Sequence, residues 1–172
     1  MKLTRHYAIE MFGQLGHMAL GHLDDVTLTS ILDNFNALRK VGEEFDKLRE
    51  ELSKRLYEGM DETRKEEFFK LVTKLEKTKE AEKRMEMIAL MKDTYADFFA
   101  IYEKHVNVIG KLLNKEVEVD ITEVDADAFI KGIVKGKADA PVLEIRAFFK
   151  PMFKADEETK ADFSELDEML KD

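Results

Sequence analysis

Histidine and carboxylate side chains near the N-terminus are the residues of this sequence that could bind a metal ion. His17 and His22 lie five residues apart in a glycine-rich stretch, which could fold back toward His6 and Glu10. Imidazole and carboxylate groups are common ligands of transition metals. Scattered histidines are more often surface or helix-end residues. The sequence therefore favours no metal site and leaves these four residues as the alternative.

The better-defined metal motifs do not occur. A di-iron carboxylate bundle needs a Glu three residues before a His, so that both side chains point into the bundle. The residues at that position before the four histidines are Leu3, Gln14, Ala19 and Tyr102. The His-Glu-x-x-His zinc pattern is also missing from the sequence.

Nucleotide-binding and nucleophile motifs are missing as well. The segment from Gly132 to Ala138 resembles a phosphate-binding loop, but it is one residue short between its glycines and has Ala where a hydroxyl must hold magnesium. The serines lie within or beside helical patterns, without the glycine elbow of a serine nucleophile. No Asp or Glu interrupts an apolar stripe, as a buried general acid would. We therefore expect neither catalysis nor a cofactor.

Composition indicates a single helical domain. The 172 residues are 44% hydrophobic and 38% charged, which is typical of amphipathic helices with solvated outer faces. We expect residues 1–153 to form one domain and residues 154–172 an acidic tail, either docked or frayed. The absence of cysteine excludes disulfides and thiol chemistry. No stretch resembles a signal peptide or a membrane span of roughly 20 apolar residues, so a cytoplasmic protein is expected.

The net charge of −9 is concentrated in the C-terminal third. Residues 114–128 and residues 154–172 each carry −5, which leaves the rest of the chain close to neutral. Acidic segments repel the phosphates of nucleic acids, and no basic stripe compensates for them. We therefore expect no nucleic-acid partner and no membrane partner.

One long helix, predicted from Ala81 to Leu113, organises the rest of the chain. Its apolar residues recur at alternating intervals of four and three, which keeps one seam toward a partner helix. The seam consists of Ala81, Met85, Ile88, Lys92, Tyr95, Phe99, Tyr102, Val106, Ile109 and Leu113. Lys92 is its one charged member and is expected to snorkel, to face solvent or to form a buried ion pair.

A second long helix is predicted from Thr27 or Thr29 to Tyr57, and the two helices would form an antiparallel hairpin. Gly59 offers a left-handed stop after it. A further helix precedes Ala81, but the polar stretch at 76–80 does not continue the seam. Either one helix continues with a solvent-exposed middle section or a turn near Thr78 separates two helices, and we favour a break or a change of packing partner at 76–80.

The two ends of the domain carry shorter elements. Thr4 can cap an N-terminal helix that ends near Gly16. Residues 116–121 alternate between polar and apolar, which predicts one β-strand. A lone strand is unstable in water, so it must pair with residues 1–4, with a second copy of the chain or with a partner protein.

Small helices are predicted after this strand. Asp125 or Asp127 can cap a helix that Gly136 closes. Pro141 suits the first turn of another helix, which Pro151 should end or kink.

These patterns predict a mainly α fold: a helical bundle around a long antiparallel hairpin, with one short β-strand at about 116–121 and small C-terminal helices. The hairpin meets the segment Val117-Glu118-Val119-Asp120-Ile121-Thr122-Glu123-Val124-Asp125. This arrangement resembles small uncharacterised proteins encoded by bacteriophages and prophages. The resemblance implies a role in a phage or mobile-element gene cluster and carries over no functional residues.

Methionine and aromatic side chains favour a role in protein–protein interaction, because they supply the adaptable and rigid apolar area that is enriched in interfaces. The candidate interaction residues are Met85, Met91, Lys92, Tyr95, Phe98, Phe99, Tyr102, Val117, Val119 and Ile121. We expect a non-enzymatic interaction or assembly protein that forms a homo-oligomer and presents its acidic C-terminal third to a protein partner. The alternatives are a metal-binding or enzymatic bundle that uses the N-terminal histidines, and a regulator whose acidic face mimics nucleic acid.

Overall fold

The computed structural model of the chain describes residues 1–154, which form seven α-helices, two 3-10 turns and one two-stranded sheet. The mainly α prediction is confirmed, with one strand more than the sequence predicted. The elements are β1 (Lys2–Thr4), α1 (Arg5–Gly16), α2 (Asp25–Leu56), α3 (Glu62–Lys77), α4 (Ala81–Thr94), α5 (Ala96–Asn114), β2 (Glu116–Glu118), α6 (Ala126–Gly136) and α7 (Val142–Phe148). The 3-10 turns are Leu20–His22 and Lys150–Met152.

The chain divides into two compact units. The first comprises residues 1–16 and 35–120, and the second comprises residues 17–34 with the chain from Ile121 onward. Helix α2 therefore contributes its N-terminal turns to one unit and the rest to the other. The expectation of a single domain over residues 1–153 stays a prediction, and the tail beyond Lys154 lies outside the described residues.

Aromatic and aliphatic side chains from three helices form one buried cluster of the first unit. Phe68 of α3 is fully buried, with its ring centroid 5.7 Å from that of Phe98 of α5. Met91 of α4 and Tyr57, just after α2, are buried in the same cluster. Burial of this apolar surface, at about 25 cal/mol per Å², is the main stabilising contribution here.

The predicted helix from Ala81 to Leu113 is wrong in one respect, because it is two helices that meet at Tyr95. The backbone there leaves the helical region, with φ −129° and ψ 43°. The Tyr95 hydroxyl donates a hydrogen bond to Oε2 of Glu67 on α3 at 3.0 Å, and Arg64 of α3 lies 5.7 Å from the centre of the Tyr95 ring. These contacts with α3 offset the free-energy cost of interrupting the helix at Tyr95.

The predicted strand is shorter than expected and ends at Glu118. It pairs antiparallel with β1, with Leu3 opposite Val117. Of the three partners that the sequence left open, the structure therefore contains the N-terminal one. Arg5 extends the contact between the N-terminal segment and the end of α5. Its backbone N–H donates to the Lys115 carbonyl at 2.9 Å, and its side-chain Nη1 donates to the Leu112 carbonyl at 2.7 Å.

Several boundaries agree with local signals in the sequence. Helix α3 ends at Lys77 and α4 begins at Ala81, as the polar stretch predicted. Gly59 has a φ of 76°, the left-handed conformation expected of a stop. Asp125 caps α6 by accepting a hydrogen bond from the backbone N–H of Ala128 at 2.8 Å.

In the second unit, the connector, which consists of residues 17–24 between α1 and α2, packs against α6. A Cβ at Gly132 would lie 2.3 Å from Cδ2 and 3.2 Å from Cα of Leu23, so the connector approaches the helix backbone closely. A Cβ at Gly136, one turn further on, would lie 3.1 Å from the side chains of Ala19 and His22. The two glycines that resemble a phosphate loop in the sequence are therefore a packing surface.

Candidate interaction site

The four candidate metal ligands do not form a common site in the described part of the chain. Nε2 of His6 lies 3.3 Å from Oε1 of Glu10, one helical turn away, and both side chains are about half exposed. His17 and His22 belong to the other compact unit and are exposed. Within residues 1–154, no group of three or more His, Cys, Asp or Glu side chains could hold a metal ion.

Four of the candidate interaction residues lie inside the protein's own core. Met91, Phe98 and Val119 are at most 2% exposed, and Phe99 is 8% exposed. Tyr95, Tyr102, Val117 and Ile121 are half-buried. Met85, by contrast, is 70% exposed on α4. The side chains open to a partner in this conformation are therefore Met85, Lys92 and the outer parts of the half-buried residues.

Lys92 faces solvent rather than forming a buried ion pair. Its ammonium nitrogen lies 5.1 Å from the centroid of the Phe99 ring, within the range of a cation–π contact. Ala96, Ala100 and Glu103 line a shallow pocket of about 240 Å³ beside these two residues. This part of the seam is a charged surface feature at the junction of α4 and α5.

Helices α2 and α5 each carry a stretch whose apolar stripe is not buried by the described chain. Residues 43–56 of α2 and residues 100–114 of α5 include no buried side chain, although both stretches carry regular apolar stripes. Leu48 is 41% exposed and Val106 is 52% exposed. Helix α5 packs on α1 and α4, and the exposed sides of both stripes remain accessible to a partner.

Tyr57, just after α2, contacts His105 of α5. The Tyr57 hydroxyl lies 3.4 Å from Nδ1 of His105, and the two rings meet edge to face at 5.8 Å. Burial, with a smaller contribution from Tyr102, raises the pKa of Tyr57 to about 12. Burial, followed by the nearby Arg49 cation, lowers the pKa of His105 below 6.5. Both pKa shifts favour uncharged rings in this tyrosine–histidine pair.

Sequence reasoning did not single out Leu48, although the stripe to which it belongs is visible in the sequence. An apolar stripe shows which side of a helix is apolar, and it does not show whether a third element of the same chain covers that side. For α2, the signal that could have found the exposed region is the charge pattern, because residues 43–56 are densely charged outside their stripe. Residues 100–114 carry few charges and give no such signal.

No known protein family, curated protein or solved structure matches this chain. Within residues 1–154, no helix has the length and apolar content to span a membrane.

Proposed function

We propose that the chain is a non-enzymatic protein–protein interaction or assembly protein, and that it works as a homo-oligomer. The observation that supports this proposal is the absence of any buried side chain in residues 43–56 and 100–114. Leu48 and Val106 mark the exposed sides of these two stretches. A partner that covers them would bury apolar area that the described part of the chain leaves in water.

A second copy of the chain is the partner that fits this surface. In a two-fold dimer each copy offers the same patch, so α2 and α5 of one protomer would meet α2 and α5 of the other. Four helices packed in this way would give the apolar stripes a common core, as in helical bundles. The alternating charges beside the stripes suit the polar rim of such an interface.

The same proposal includes the setting in which the protein acts. We place it in the cytoplasm, because a cysteine-free chain suits a reducing compartment. Its arrangement of hairpin, acidic segment and small helices favours a phage or prophage origin, which the identity of the neighbouring genes would test.

Sedimentation velocity of the full chain tests the oligomeric state. We expect the weight-average mass to rise above 20.0 kDa across the micromolar concentration range and to reach a multiple of that mass. A protein that remains monomeric at every concentration would remove the proposal's main support. Light scattering of the same samples provides an independent mass.

A further inference from the structure

One exposed strip of α2 runs through Leu48. Side chains three, four and seven residues apart lie on one side of a helix, so Glu44, Leu48, Glu51 and Arg55 lie together in what we call the α2 strip. All four side chains are exposed, and Leu48 is 41% exposed. Leu52, in the same apolar stripe, is half-buried. The α2 strip is therefore a margin of the apolar stripe that is open to a partner.

Charge changes sign along this part of α2. Residues 43–46 carry three acidic side chains and no cation, whereas residues 54 and 55 are both cations. On the α2 strip itself, Glu44 lies at the acidic end and Arg55 at the basic end. About 16 Å of helix separates these two residues, at about 1.5 Å per residue, so they do not pair within one chain. Each copy thus presents opposite charges at the two ends of its strip.

The two charges differ in the partners that their own chain provides. Nε of Arg55 donates a hydrogen bond to Oε1 of Glu51 at 2.6 Å. Glu44 forms no ion pair within residues 1–154. A guanidinium group has several N–H donors in a planar fork, so the bond to Glu51 leaves donors for a second carboxylate. A carboxylate from another molecule can therefore bind Arg55 without displacing Glu51.

A second copy of the chain supplies complementary charges in one direction of pairing. In a parallel two-fold pair identical positions meet, so Glu44 would face Glu44 and Arg55 would face Arg55 of the other copy. In an antiparallel pair centred between Leu48 and Glu51, the acidic end of each strip lies against the basic end of the other. The two Leu48 side chains would be offset by about 4.5 Å along the axes, within reach of contact. Opposed helix dipoles also favour this direction.

We propose that two copies pair α2 with α2 in antiparallel direction, so that Glu44 of each copy binds Arg55 of the other and the Leu48 side chains lie between the two ion pairs. This arrangement rests on the proposed self-association and adds the direction and register of the interface. Two-fold symmetry forms the ion pair twice, once at each end of the strip. Like charges would meet in a parallel two-fold pair, so the same two residues disfavour that alternative.

Exchange of the two charges tests the direction. Glu44→Arg and Arg55→Glu should each raise the dissociation constant of the dimer at least about threefold, because each places like charges together at both ends of the strip. The double variant E44R/R55E restores opposite charges in an antiparallel pair, so its constant should return to within about twofold of the wild-type value. In a parallel pair each substitution would replace one pair of like charges with another. Sedimentation velocity of the full chain gives the constants.

Charge exchange on another side of α2 controls for net charge. Glu43→Arg and Lys54→Glu change the net charge in the same way, and both residues are exposed and point away from Leu48. These variants should leave the dissociation constant close to that of the wild type. An effect of the controls equal to that of the strip variants would overturn the proposal. Self-association that neither Glu44→Arg nor Arg55→Glu weakens, or that E44R/R55E does not restore, would also overturn it.

A distance between spin labels gives the direction without a change at the strip. Because the chain has no cysteine, Lys40→Cys accepts one label per copy at an exposed position of α2. In the antiparallel pair the two positions lie about 28 Å apart along the helix axes, whereas a parallel pair places them level with each other. Pulsed electron paramagnetic resonance measures this distance. Labels level with each other would overturn the proposed direction and leave self-association standing, whereas a wild type that stays monomeric at every concentration would overturn both.

Discussion

Single polar side chains fix segments that are far apart in the sequence. Asn34 is fully buried, accepts a hydrogen bond from the Thr122 N–H at 2.7 Å and donates one to the Thr122 carbonyl at 2.8 Å. The amide thus replaces a strand partner for one residue of the extended segment after β2. The two hydrogen bonds attach this segment to α2, although Thr122 itself is exposed.

Replacing Asn34 with Ala should destabilise the protein by about 1–3 kcal/mol, because it removes two hydrogen bonds made by a fully buried amide. Urea denaturation gives the change in the free energy of unfolding. Asn36→Ala is the matched control, since Asn36 lies in the same helix and is exposed. Equal effects of the two substitutions would contradict the role assigned to the Asn34 amide.

His105 makes stability depend on pH. Burial and the Arg49 cation lower the pKa of His105 below 6.5 in the folded protein, so folding favours the neutral ring, which can accept from the Tyr57 hydroxyl. The unfolded state therefore binds more protons just below pH 6.5. The contribution of His105 is fully present above pH 6.5 and is lost as the pH falls from 6.5 through the lower folded pKa.

The free energy of unfolding of the wild type and of His105→Gln, measured between pH 8 and pH 5, checks this prediction. The range extends about 1.5 pH units to either side of the ordinary pKa of histidine. The variant should lose less stability across the range than the wild type. His17→Gln, at an exposed position, should keep the wild-type slope. A steeper slope in His105→Gln would mean that the ring is charged in the folded protein.

Close approach of two elements depends on one glycine of α6. Gly132→Ala should destabilise the second unit by about 1–3 kcal/mol, because the new methyl group meets the backbone as well as the side chain of Leu23. Gly42→Ala in α2 is the control, since nothing lies within 4 Å of its Cβ position. That substitution should stabilise its helix by about 0.5–1 kcal/mol. Thermal denaturation of both variants separates the packing effect from helix propensity.

Helix α3 organises the aromatic cluster of the first unit. Phe68→Ala should cost about 3–5 kcal/mol, because the ring is fully buried among aromatic rings of α5. Phe69→Ala removes a half-buried ring that packs on Tyr57 and should cost clearly less. Urea denaturation measures both free energies. A larger loss in Phe69→Ala would place the centre of the cluster elsewhere.

Sequence periodicity predicted the helices well and their tertiary partners poorly. The boundaries at Lys77, Gly59 and Asp125 follow from local chemistry, because polar gaps, a positive φ and a carboxylate cap act within one turn. The break at Tyr95 has no such signal, and the hydrogen bond that Tyr95 makes there reaches Glu67 of α3, 28 residues earlier in the chain. The partner of β2 was undetermined for the same reason, as pairing with β1 joins residues 114 positions apart.

The candidate site was predicted less completely than the fold. Aromatic and methionine residues occur both in cores and in interfaces, so residue type alone could not assign Phe98 to one or the other. The structure places Phe98 in the core and leaves Met85 exposed. Accessibility depends on which faces the remainder of the chain covers, and no single helix contains that information.

At the scale of the whole molecule, the proposed self-association depends on the uncovered stripes of α2 and α5. The double variant L48E/V106E places two carboxylates on this surface, where an interface would exclude water from them. We expect it to raise the dissociation constant of the oligomer at least about tenfold, equivalent to about 1.4 kcal/mol of binding free energy. Both positions are exposed in the chain, so the substitutions should change the stability of a protomer little.

Sedimentation velocity at several concentrations gives the dissociation constants. The control is Val26→Glu, a charge introduced at a residue that is 78% exposed and lies outside both stripes. It should leave the constant close to that of the wild type. Weakening by the control as strong as that by L48E/V106E would indicate a general charge effect, because each added carboxylate also increases the repulsion between acidic chains. Selective weakening by L48E/V106E would instead locate the interface on α2 and α5, since only those carboxylates would have to be desolvated there.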